Sequence, residues 1–189
     1  MRHGFKAHAE RLAMSEREAF GLSEVDRLNP KEFLAAQNII VWGISDIQGL
    51  DRETGRQLTK TDPNSWSGIT LREGSQIVII LNSAHGVNRH ASTMMHEWSH
   101  LKLDHKPNRL DRTDKGMMFL TDYPADVEEE ADWLGAAILL PREGLLHFRS
   151  KALSHVQIAD HYGVGEELVR WRTGKTGIDR QLHARARRR

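Results

Sequence analysis

The chain has 189 residues, 39% of them hydrophobic and 28% charged, and its 27 Lys and Arg nearly balance 26 Asp and Glu to give a formal net charge of +1. That length suits one domain with a core plus an extension, and the near-neutral balance supplies no global field to recruit nucleic acid or anionic lipid. No cysteine is present, which excludes disulfides, thiolate ligands and iron–sulfur clusters and leaves His, Asp and Glu to hold any transition metal.

The opening "MRHGFKAHAERLAM" is interrupted by charge every few residues, so it lacks the apolar region of roughly 7–15 residues that a secretory signal needs. The chain is therefore expected in the cytoplasm. The longest apolar runs, "IVIIL" and "AAILLP", fall far short of the roughly 18 residues that indicate a membrane span. Residues 4–20 place Phe5, Ala9, Leu12 and Phe20 near helical spacing with Gly21 as a stop, which predicts a helix packed by one face. Asn29-Pro30 opens a short second helix, with a capping side chain and proline at the first helical position, and this leads into a strand, "IIVWGI". Residues 45–65 are polar and turn-rich and read as a loop. "SGITL" and "SQIVIILN" then form a hairpin about Arg72–Gly74, so residues 39–44, 66–71 and 76–82 predict a small, mainly antiparallel sheet.

From Asn88 the period changes to helical, with Met94, Trp98 and Leu101 on one face and Pro107 as the stop. Residues 106–124 read as a loop in which "GMMFL" is an apolar anchor, and a further helix runs from about Ala125 to Leu140, between "DYP" and Pro141. Residues 152–172, "ALSHVQIADHYGVGEELVRWR", read as helix, glycine-containing turn, helix. The closing "RQLHARARRR" reads as a solvated, flexible basic tail. The expected fold class is α+β, with a principal domain over 1–145, a helix-turn-helix-like extension over 146–175 and the tail over 176–189.

Inside the helix that starts near Asn88 lies "HEWSH". His96 and His100 are four apart, so both imidazoles lie on one helical face and can reach one ion, while Glu97 projects beside it, placed to take a proton from water. A catalytic zinc needs a third protein ligand. A third histidine in the pattern H-E-x-x-H-x-x-G-x-x-H would require glycine at 103 and histidine at 106, where the chain has Leu103 and Lys106; His105 is one residue out of phase. The other source is a carboxylate on a later helix. "EEEAD" offers Glu128 and Asp132, four apart on one face, the second able to receive the free ring N–H of a ligand histidine. Glu129 and Glu130 point elsewhere, and Glu129 fits a solvated acid at the helix start.

"HEWSH" followed by "EEEADWLGAAILLP" resembles the ImmA/IrrE family of zinc peptidases, whose second motif runs approximately E-x-E-A-N-x-F-A-A-E-L-L-M-P, and the preceding "SGITL" and "IVIILNSAHGVNRHASTMM" resemble that family's strands and motif helix in the same order. The resemblance covers roughly residues 30–141. It implies a zincin-like peptidase domain, a small antiparallel sheet packed against the H-E-x-x-H helix with a second ligand-bearing helix. It also implies zinc on His96, His100 and Glu128, Glu97 as general base and Asp132 in the family's Asn position. Trp98, Ser99, Gly135 and Ala137 depart from the family's usual residues and bear on the shape of the substrate cleft. The implied activity is site-specific cleavage of a protein, typically a helix-turn-helix repressor of the Xre type, in stress response or in mobile-element or toxin-antitoxin regulation.

Arg89, His90, Tyr123 and His147 are the candidates for stabilising the tetrahedral oxyanion, and an extended substrate is expected along the edge of the 66–82 hairpin. The remaining histidines, His105 among them, read as surface or satisfied structural residues. The rival reading is a DNA-binding or regulatory module with a vestigial peptidase domain, carried by residues 152–172 and the arginine tail.

Overall fold

The computed structural model describes residues 1–47, 52–112 and 118–187. Contacts group Asn29–Asp132, with Met1, into one compact unit, and Arg2–Leu28 with Trp133–Arg189 into a second. The division expected near residue 145 therefore falls earlier, within a helix, and the N-terminal helix belongs with the C-terminal ones.

The first unit is a five-stranded sheet with helices. Its elements are α2 (Pro30–Ala36), β1 (Ile39–Gly43), α3 (Arg52–Arg56), β2 (Gly68–Glu73), β3 (Gln76–Leu81), α4 (Val87–Lys102), β4 (Arg109–Arg112), β5 (Met118–Thr121) and the first half of α5 (Ala125–Leu139). The strand order is β1-β3-β2-β5-β4. β1 runs parallel to β3, and the other pairs are antiparallel. The sheet is thus mixed and larger than the three strands expected. β4 and β5 occupy a segment expected to be a loop: "RLDR" has no apolar alternation to announce a strand, and its pairing with β5 makes it one. Of the "GMMFL" island, Gly116 and Met117 lie outside the described residues, while Met118 to Leu120 belong to β5. The expected loop at 45–65 carries α3 and a π turn over Gln57–Thr61, short helical pieces without an apolar stripe to announce them.

β3 buries Val78, Ile79, Ile80 and Leu81 in succession, the pattern of a central strand covered on both faces. One face pairs Leu71 with Val78 and Ile69 with Ile80, and Ile40, Trp42 and Trp66 pack there. On the other face Thr70 stands opposite Ile79, beneath α4. Helix α4 is fixed over this face by buried Ala91, Met94, Met95 and Trp98. The Trp98 indole donates to Gln37 Oε1 at 2.9 Å and meets the Phe33 ring edge-on at 5.2 Å. The edge expected to take substrate is mostly closed: β1 covers β3, and β5 pairs with β2 at Thr70, Leu71 and Arg72. At the start of β2, Gly68 and Ile69 stand beyond that pairing.

The second unit holds α1 (Phe5–Ala19), the remainder of α5, α6 (Arg142–Ser150), α7 (His155–Tyr162), α8 (Glu166–Thr176) and α9 (Ile178–Ala186). Buried Arg17 donates to the carbonyls of Ser23, Asp26 and Ile138, and buried Arg172 donates to Glu10 at 2.6 Å and to Leu140 O at 3.2 Å. The expected flexible tail is instead helical over α9, seated by fully buried Ile178; Ile178 and Leu182, four apart, form a stripe that the arginine run obscures.

Candidate metal centre

Helix α4 presents His96, Glu97 and His100, and α5 presents Glu128 and Asp132 one turn apart. His96 Nε2 lies 3.1 Å from His100 Nε2 and 3.1 Å from Glu128 Oε2, and His100 Nε2 lies 3.5 Å from Glu128 Oε1. Two donors bound at about 2.0–2.1 Å on a tetrahedral ion stand roughly 3.3 Å apart, so these three spacings fit one metal. The far nitrogens are already engaged: His96 Nδ1 bonds Asp132 Oδ1 at 2.9 Å, and His100 Nδ1 lies 3.0 Å from His105 Nδ1. Each imidazole therefore turns Nε2 toward the common point. The set is N/O only, as a cysteine-free chain requires.

The electrostatics follow the same contacts. Burial works to lower the His96 pKa from 6.5, but hydrogen bonds to Asp132 and Glu128 and the charge of Glu97 outweigh it and raise the pKa to about 10. Hydrogen bonds from His100 and His96 hold Glu128, ordinarily at 4.5, down to about 2 despite partial burial. In metal-free protein the cluster is thus an imidazolium–carboxylate pair, and a metal bound there would displace the His96 proton and keep both side chains as ligands.

Glu97 stands beside the donors and accepts a hydrogen bond from buried Thr70 Oγ1 at 2.5 Å. Tyr123 stacks on His100 with ring centroids 3.7 Å apart at 20°. Burial, then the charges of Glu97 and Glu128, raise the Tyr123 pKa, so its hydroxyl keeps its proton. Arg89 donates to Ser67 Oγ at 2.9 Å and lines, with Gly68, Thr93, His96 and Glu97, an open hollow of about 360 Å³. His90 bonds instead to the Asn82 carbonyl at 2.8 Å, and His147 lies on α6, in the second unit. A larger hollow of about 840 Å³ beside α2 and β1 has, among the described residues, no acid or histidine in its wall and is not where this chemistry sits.

The structure therefore brings His96, Glu97, His100, Glu128 and Asp132 together. His105, expected to be a surface or satisfied structural histidine, and Glu130, expected to point elsewhere, meet behind His100 with His105 Nε2 3.5 Å from Glu130 Oε2. Glu129 faces the N-terminal amine at 3.8 Å.

A sheet-backed H-E-x-x-H helix whose histidines meet a glutamate from the following helix defines a zincin-like α+β domain, a protein of the metallopeptidase type. The chain belongs to the family of IrrE N-terminal-like domains, peptidase family M78, which it matches over residues 53–173. Membership implies a protein substrate. No curated protein and no solved structure matches the chain, and among the described residues no helix is long and apolar enough to cross a membrane.

Proposed function

We propose that this chain is a zinc-dependent, site-specific endopeptidase acting in the cytoplasm, with zinc held by His96, His100 and Glu128. The observation that carries the reading is the convergence of the three side chains, with the two Nε2 atoms 3.1 Å apart and lying 3.1 and 3.5 Å from the two carboxylate oxygens of Glu128. Zinc in such a site lowers the pKa of bound water towards about 7 and polarises the scissile carbonyl. Glu97, aimed by Thr70, takes the proton of the attacking water and hands it to the leaving amide nitrogen. Asp132 holds the His96 ring in the orientation that directs Nε2 inward. Arg89 at the hollow and the protonated Tyr123 beside His100 are the groups placed to meet the developing oxyanion. The substrate chain enters along Gly68 and Ile69, the part of β2 that β5 leaves unpaired, where it gains backbone hydrogen bonds. Family resemblance makes an Xre-type helix-turn-helix repressor, cleaved in stress or mobile-element and toxin-antitoxin regulation, the substrate to test first.

The DNA-binding reading draws on α7 and α8, joined at Gly163 with φ of +69°. Against it, α8 buries Val169, Arg172 and Thr173, begins with Glu166 and Glu167, and ties Arg170 to Glu166 at 2.6 Å. That acidic start and buried face suit a helical support rather than a recognition helix.

Elemental analysis of purified protein tests the proposal. Wild type should carry about one zinc per chain and Glu128→Ala should lose most of it, while Glu97→Gln should keep zinc, lose cleavage and retain substrate in a pull-down. Folded wild type that takes up no zinc, or cleavage surviving in Glu97→Gln, would overturn it.

A further inference from the structure

The end of α4 folds back in a way that determines what lies behind His100. Leu103 caps the helix, and Asp104 takes the left-handed conformation at φ +51°. The amide of Asp104 bonds Leu101 O at 3.2 Å and the amide of His105 bonds His100 O at 3.0 Å. This is the Schellman arrangement, in which the second residue past the cap is brought against the residue three from the helix end. Ordinarily that contact is hydrophobic. Here it sets two imidazoles against each other, with His100 Nδ1 and His105 Nδ1 3.0 Å apart. On its far side His105 Nε2 faces Glu130 Oε2 at 3.5 Å, and the two side chains are only 4% and 1% exposed.

We propose that His105, backed by Glu130, is a positioning residue that fixes which nitrogen of His100 faces the metal; the inference rests on the metallopeptidase reading above. A ligand nitrogen must offer a lone pair, so His100 with Nε2 in the cluster carries its proton on Nδ1. That proton points at His105 Nδ1, which must then be an acceptor. Neutral His105 therefore carries its own proton on Nε2, directed at the Glu130 carboxylate. The order of donors is fixed from the buried acid outward, and the contact is electrostatic rather than a full hydrogen bond at its 3.5 Å end. Asp132 does the same for His96 in one step from the exposed side. Helix α5 thus supplies a ligand at Glu128 and supports for both ligand histidines at Glu130 and Asp132.

The test is zinc affinity, read by competition with a chromogenic chelator and without any peptidase assay. His105→Phe keeps ring volume and the helix cap but removes the acceptor, and should weaken zinc binding by about 10–100-fold. His105→Asn, smaller but with an oxygen where Nδ1 was, should recover most of that loss, which packing alone would not predict. In parallel, nitrogen-15 spectra of zinc-loaded wild type should show His105 as the neutral tautomer protonated on Nε2. Unchanged affinity in His105→Phe, failure of His105→Asn to rescue, or a His105 proton on Nδ1 would overturn the proposal. Should His105→Phe fail to fold, the wild-type spectrum decides. Wild type that binds no zinc would bring down the metallopeptidase reading itself, whereas zinc bound normally by wild type and His105→Phe alike would remove only the support assigned to His105.

Discussion

Thr70 reaches from β2 to α4 and donates its hydroxyl to Glu97. Strand period explains the meeting: Leu71 and Ile69 face the apolar cluster, so Thr70 faces the helix. Thr70→Val preserves shape and removes the donor. A hydrogen bond contributing about 1–1.5 kcal/mol in the transition state corresponds to roughly tenfold in rate. On the protein trapped by Glu97→Gln, kcat should fall about tenfold with KM and zinc content near wild type. An unaltered kcat would show that Glu97 needs no such support.

Gly68 sits on the same face, two residues before Thr70. A Cβ there would stand 2.6 Å from Thr93 Cγ2 and 3.4 Å from Ile80 O. Gly68→Ala should therefore push α4 from the sheet at a cost of about 1–3 kcal/mol, seen as a lower urea midpoint. Thr93→Ser removes the obstructing methyl and keeps the hydroxyl that bonds Arg89 O at 3.0 Å. In the double variant most of the loss should return; simple additivity of the two changes would mean the methyl is not the obstacle.

His96, Glu97 and His100 are legible in the sequence because residue type and helical period coincide within five positions, and Glu128 with Asp132 because a ligand histidine calls for a carboxylate pair at that spacing. His105 and Glu130 are not legible. Their meeting depends on a left-handed Asp104, where glycine would have signalled the cap, and on the flank of a three-glutamate run that looks like solvated charge. The same holds for the sheet. The apolar hairpin of β2 and β3 declares itself locally, whereas β4 exists only by pairing, and the parallel direction of β1 depends on a connection whose own helices carry no apolar stripe.

The titrating pair sets the pH range of the metal-free fold. The His96 pKa is raised from 6.5 to about 10, so its contribution is complete below pH 6.5 and is lost as pH climbs to about 10. Glu128 is lowered from 4.5 to about 2, so its contribution is complete above pH 4.5 and is lost as pH falls to about 2. Denaturation of zinc-free protein should therefore show the cluster's full contribution between these two ordinary values, with Glu128→Gln flattening the acid limb and weakening the alkaline one. An acid limb unchanged by that substitution would place the titrating group elsewhere.

Asp132 and Glu129 are both exposed acids on the same helix, with side chains 62% and 58% accessible, yet the geometry assigns them different consequences. Asp132 Oδ1 holds His96 Nδ1 at 2.9 Å, while Glu129 Oε2 lies 3.8 Å from the Met1 amine. The exposed pair of Glu129 is worth little to stability, so Glu129→Ala should leave the denaturation midpoint of metal-free protein near wild type. Asp132→Ala, by contrast, removes the leading contact that raises the His96 pKa and should lower that midpoint below about pH 10. Orientation of a metal ligand is a separate quantity, because a ring free to rotate must be ordered each time the metal binds. Asp132→Ala should therefore weaken zinc binding by about tenfold, and Asp132→Asn, which keeps an acceptor oxygen, by less. Glu129→Ala should leave affinity within error of wild type. Equal losses in the two alanine variants would mean that net negative charge near the site, and not the bond to His96, supplies the affinity.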